Sequence, residues 1–113
     1  MKYELQDELR AEFPQLLQCT LAIDDGWLGL LRKACQDIMA KSPPANYQFV
    51  QVKEKFGGLR IYAEPYISEL HEIISVAEKT SYKTCETCGN SETAELRVGN
   101  WLRTACDNCN KEK

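Results

Sequence analysis

Two Cys-x-x-Cys pairs, Cys85 with Cys88 and Cys106 with Cys109, stand 17 residues apart near the end of a 113-residue chain. The i, i+3 spacing lets both sulfurs of a pair turn toward one point, and two such pairs at this separation match the four-thiolate zinc pattern. The residue after the second cysteine of a pair often needs a left-handed backbone. Gly89 and Asn110 stand there, and both residue types tolerate positive φ. Between the pairs, residues 94–98 and 101–105 flank Gly99-Asn100, whose composition predicts a two-residue hairpin turn. Residues 83–113 are therefore read as a zinc-ribbon-like module. A treble-clef variant, in which the second pair opens a helix, is the second reading, disfavoured because only Asn110-Lys111-Glu112-Lys113 follow the last cysteine. An iron-sulfur cluster and a metal-free tail are the remaining alternatives.

This module has too few large apolar side chains to fold by burial alone, whereas structural zinc supplies on the order of 10–16 kcal/mol near neutral pH. Four thiolates leave the ion with a formal charge of about −2, which Lys83, Arg97 or Arg103 is placed to offset. With every position taken by sulfur, no site remains for an activated water, so one structural Zn2+ is expected rather than a catalytic one.

Six cysteines in a short chain also suit a disulfide scaffold. The start Met1-Lys2-Tyr3-Glu4-Leu5-Gln6-Asp7 is too polar and acidic for a secretory signal, which points to a reducing compartment and to metal. No apolar run approaches the roughly 18 residues needed to cross a membrane. Cys35 falls on the apolar face of a predicted helix and reads as a small buried hydrophobe. A Cys19–Cys35 bridge is the minority reading. The net charge of −3 excludes a general positive field that would hold nucleic acid, so any such binding is local.

The apolar fraction of 43% suffices for one modest core. Leu5, Leu9 and Phe13 recur every four positions and predict a helix over 2–13, ended by Pro14. The stripe Trp27, Leu31, Ala34, Cys35, Ile38 predicts a second helix over 26–41, stopped by Ser42-Pro43-Pro44. Alternation over 48–63 predicts a two-stranded antiparallel hairpin turning at Lys55-Phe56-Gly57-Gly58. With Glu54 facing Leu59, Val52 meets Ile61 and Val50 meets Ala63 on the inner face. Ile67, Leu70, Ile73, Ile74 and Ala77 predict a third helix over 66–81. The expected fold is α+β: an α+β body over 1–82, its helices packed on the hairpin, with the metal module of 83–113 docked on it.

Several features invite a functional reading beside a plainer one. Gln51, Lys53, Arg60 and Tyr62 form a polar, basic and aromatic outer face, with Lys55 and Phe56 at its turn. It is either a docking surface or a solvated face whose pairs support the hairpin. Trp101, helped by Arg97 and Arg103, either stacks on a partner or packs across Val98 to shield the metal. Trp27 is core. His71 has no second base or nucleophile near it, and no acid, base and nucleophile set is visible, so no catalytic residues are assigned.

The stretch Val50 to Tyr62 (VQVKEKFGGLRIY), followed by a helix and Cys-x-x-Cys-Gly, resembles a family of small bacteriophage and prophage proteins. Asp25-Gly26-Trp27, and Trp101-Leu102-Arg103-Thr104 before the second pair, are similar too, so the likeness spans Asp25 to Cys109. That family has no established activity. The resemblance implies a phage-type accessory protein in the bacterial cytoplasm, and by analogy one that uses its zinc ribbon and outer sheet face to bind a host protein. By analogy alone, it also implies inhibition of host machinery such as antiviral defence. A nucleic-acid-binding zinc ribbon in transcription or replication control is the alternative.

Overall fold

A computed structural model describes residues 3–111; Lys2, Glu112 and Lys113, which the expected helix 2–13 and module 83–113 include, lie outside it. Over the described residues the protein is a mixed α+β chain with four helices, small sheets and a cysteine cluster near the C-terminus. Helix α1 covers Tyr3–Glu12, and strand β1 is the two residues Leu21–Ala22. A 3-10 turn at Asp25–Trp27 leads into α2, Leu28–Ala40. Strands β2 (Gln48–Lys55) and β3 (Gly58–Glu64) precede α3 (Ser68–Ser81), and β4 (Glu95–Arg97), β5 (Arg103–Ala105) and α4 (Asp107–Lys111) follow. No helix among residues 3–111 is long and apolar enough to cross a membrane.

The central sheet has three strands in the order β1-β2-β3, not the two expected. The pairing of β1 to β2 is parallel, Leu21 beside Val52. Two residues carry no readable alternation, so this strand leaves no periodic signal. Strands β2 and β3 pair antiparallel with Glu54 opposite Leu59 and Val52 opposite Ile61. A bulge at Val50 then shifts the register, so Phe49 faces Ala63. The expected Val50–Ala63 pair is therefore corrected: Phe49 is buried and Val50 is 44% exposed. An extra residue in one strand flips every side chain beyond it to the other face, and here it delivers the larger ring to the core.

One core runs through the body: Leu9, Leu16, Leu17, Leu21, Trp27, Leu31, Cys35, Ile38, Phe49, Val52, Leu59, Leu70 and Ile74 are all buried. Helix α2 ends where Ser42 takes φ +51 and donates its N–H to the Met39 carbonyl before Pro43. A left-handed residue followed by proline is a common helix stop. Helix α3 lies along β3 and satisfies that strand's edge with side chains. Leu59 N–H donates to Ser81 Oγ at 2.9 Å and Ile61 N–H to Glu78 Oε2 at 3.0 Å. Two backbone donors that would otherwise lie unpaired at a sheet edge are thereby used.

Candidate metal centre and its seat

The Cγ-less geometry of cysteine leaves one soft donor per residue, and here four converge. The sulfurs of Cys85, Cys88, Cys106 and Cys109 all lie within 4.8 Å of one another, three of them buried and Cys88 exposed. Cys88 Sγ is 3.6 Å from Cys106 Sγ, and all six cysteines are free thiols. Local structure explains the convergence. The first pair sits in a tight turn in which Gly89 takes φ +83 and donates its N–H to the Cys85 carbonyl at 2.9 Å. The second pair straddles the start of α4, so Cys109 N–H points at Cys106 Sγ, 3.4 Å away. A helix therefore opens at the second pair, the arrangement the sequence disfavoured for want of chain. Five residues suffice, because Asn110 N–H closes the turn on the Cys106 carbonyl at 2.9 Å.

Burial works against a thiolate at Cys85, yet backbone hydrogen bonds at Cys106, Cys88 and Thr87 bring its pKa down to about 6. Hydrogen bonding to the Cys106 and Cys85 sulfurs pushes the Cys109 thiol the other way. One sulfur sheds its proton readily while a neighbour keeps it, as crowded thiols do before a cation replaces the shared protons. The group can hold a metal ion. Cys35 is different: its burial, with Glu12 and Cys19 nearby, raises its pKa to about 12 and leaves it an inert core residue.

Between the pairs, Arg97 lies opposite Arg103, and residues 98–102 join the strands. The expected two-residue turn at Gly99-Asn100 is thus a five-residue loop. Trp101 sits in that loop 67% exposed and Val98 82% exposed, so Trp101 does not pack down as a shield. Arg97 turns inward, reaching the Ala105 carbonyl at 3.1 Å and Asp107 Oδ1 at 2.8 Å. Arg103 donates to the Cys109 carbonyl at 3.2 Å, while its Nε is buried with no hydrogen-bond partner among the described residues. Both arginines brace the module instead of facing outward.

Three contacts seat the module on the body, and the sequence named none of them as such. Gly26 donates its N–H to the Glu86 carbonyl at 2.8 Å. An added Cβ there would stand 2.0 Å from the Cys85 carbonyl oxygen, so only glycine fits. Trp27 Nε1–H donates to the Thr84 carbonyl at 2.8 Å, in a buried position. Thr104 Oγ1 donates to the Gly57 carbonyl at 2.7 Å, also buried. The Asp25-Gly26-Trp27 and Phe56-Gly57-Gly58 segments are therefore both parts of the seat.

The remaining candidates lie on the sheet. Gln51 pairs with Tyr62 and Lys53 with Arg60 on one face. Lys53 Nζ lies 5.9 Å from the Tyr62 ring centre and Lys55 Nζ 5.6 Å from that of Phe56. Arg60 is half-buried and donates to Tyr82 Oη at 2.8 Å. Sequence spacing also gave no sign of a cleft of about 520 Å3 where Asp24, Glu54 and Glu86 converge from three separate segments. Burial, then the Glu54 and Asp24 carboxylates, raise the pKa of Glu86.

No family model, curated protein or solved structure matches this chain.

Proposed function

We propose that this chain is a zinc-organised, non-enzymatic binding protein of the phage or prophage accessory type. In this reading it works in the cytoplasm of a bacterial host and contacts a host protein, inhibition of defence machinery being one such role. Zinc is favoured by the donor set, four thiolates with no oxygen ligand. A tetrahedral Zn2+ with bonds of about 2.3 Å spaces its sulfurs by roughly 3.8 Å, close to the 3.6 Å between Cys88 and Cys106. A knuckle, a short hairpin and a helix opened by the second pair is a treble-clef order of elements, and it supports that subclass over a plain ribbon.

The observation that carries the binding role is Phe56. It occupies a tight turn at φ +54, followed by Gly57 at φ +83, where Asn or Gly is the favoured first residue. A left-handed backbone at a bulky residue costs on the order of 1–2 kcal/mol, and burial returns little of it, since Phe56 is 65% exposed. Strain retained without a packing reason is a mark of function. Lys53, Lys55 and Tyr62 extend the surface along the hairpin, and exposed Val98 and Trp101 lie on the loop between Leu96 and Arg103, which pack against Gly57.

Affinity capture from bacterial lysate with the zinc-loaded chain tests this. One host component should be recovered by the native protein and by Val76→Ser, and lost with Phe56→Asn and Trp101→Ala. Recovery unaffected by both aromatic substitutions sinks the proposed surface. The interleaving of lysines with aromatic rings favours a second reading, single-stranded nucleic acid. In that case binding falls steeply with salt, and Lys53→Ala or Lys55→Ala flattens the slope.

A further inference from the structure

The cysteine group and the Phe56 turn are joined by a short hydrogen-bonded path. Cys106 directly follows β5, where Thr104 holds the Gly57 carbonyl through its hydroxyl. Thr104 also binds the first knuckle twice: its N–H donates to Glu86 Oε2 at 2.7 Å and its carbonyl accepts from Glu86 N–H at 3.0 Å. Gly57 is so tightly backed that an added Cβ would lie 2.5 Å from Leu96 Cδ1. A displacement of Cys106 thus reaches the turn through two residues. The module has little to resist it, since its own buried cluster is Cys85, Ala105, Cys106 and Cys109, with Ala94 alongside.

Of the four cysteines, Cys88 is the exposed one, and its sulfur lies 3.6 Å from that of Cys106. A disulfide needs about 2.05 Å, so that pair closes by a movement of about 1.5 Å.

We infer that Cys88 and Cys106 form an oxidation-sensitive latch, through which a peroxide releases the metal and withdraws the backing of the Phe56 turn. The inference rests on the metal and contact-surface reading above. In the first step the Cys88 thiolate attacks one peroxide oxygen. The O–O bond breaks, hydroxide leaves, and Cys88 becomes a sulfenic acid, oxidised by two electrons. The Cys106 thiolate then attacks the Cys88 sulfur, the S–S bond forms and a second hydroxide departs. The two hydroxides take up two protons as water, and the dication leaves with its charge unchanged from a site that has lost two ligands.

The test uses the full zinc-loaded chain and hydrogen peroxide. Three quantities are followed: free zinc with a metallochromic dye, disulfides by peptide mapping, and amide exchange over residues 55–60. The latch predicts one zinc released per Cys88–Cys106 disulfide, faster exchange in the turn, and reversal by dithiothreitol with added zinc. Cys88→His keeps a metal ligand but removes the disulfide partner, and its zinc loss should slow by about ten-fold or more. Zinc release from Cys88→His at the native rate overturns the latch, as does release that leaves exchange in the turn unchanged. A chain that carries no zinc before peroxide overturns the metal reading together with the latch. A zinc-loaded chain in which another cysteine pair forms the disulfide overturns the latch alone.

Discussion

At the residue scale, Phe56 and Gly26 are opposite cases of backbone constraint. Phe56 stands where its side chain costs stability, so Phe56→Asn is expected to raise the melting temperature by a few degrees, about 4 °C per kcal/mol in a domain of this size. The same variant should lose partner capture, and thermal denaturation beside capture measures both. Gly26 stands where any side chain collides with main chain. Gly26→Ala should lower stability by about 1–3 kcal/mol or more and weaken zinc retention, read by denaturant titration and competition with a chelator. Trp27→Phe keeps the core ring but leaves the Thr84 carbonyl without its donor. A cost of about 1–3 kcal/mol is expected by the same titration.

At the scale of elements, Ser81→Ala removes the acceptor for Leu59 N–H and should cost about 1–3 kcal/mol, with exchange protection at Leu59 lost first. Much of the element order could be read from periodicity. The stripe of α2, the register from Gln51 to Gly58 and the apolar face of α3 all announce themselves, because each buries one face over several turns or residues. What stayed hidden has no period. The bulge at Val50 is a single inserted residue, β1 is two residues long, and α4 is a single turn held by Cys106 and Asn110. The clustering of the four cysteines was legible from spacing alone. Their seat was not, because Gly26, Trp27, Thr84 and Thr104 make main-chain, indole and hydroxyl contacts across as many as 60 residues of sequence. The inward turn of Arg97 and Arg103 was equally invisible: a basic residue beside a metal group suits a brace and a contact equally well until its hydrogen bonds are seen.

At the scale of the whole molecule, stability is divided unequally. The body has a continuous apolar core, whereas the module's buried cluster is three of the four cysteines and an alanine. Chelation should therefore abolish slow amide exchange in residues 83–111 while α2, α3, β2 and β3 stay protected, a pattern that hydrogen-exchange mass spectrometry resolves. Uniform loss of protection would mean that body and module fold as one unit. The seat at Gly26 meets the Cys85 and Glu86 main chain, and that at Trp27 meets the Thr84 carbonyl. At these two places, unlike at Thr104, the socket meets peptide groups and is indifferent to the side chains those peptides carry. Substitutions at exposed Thr87, Ser91, Glu92 or Val98 should therefore leave both contacts, and the docking of the cysteine group on the body, in place.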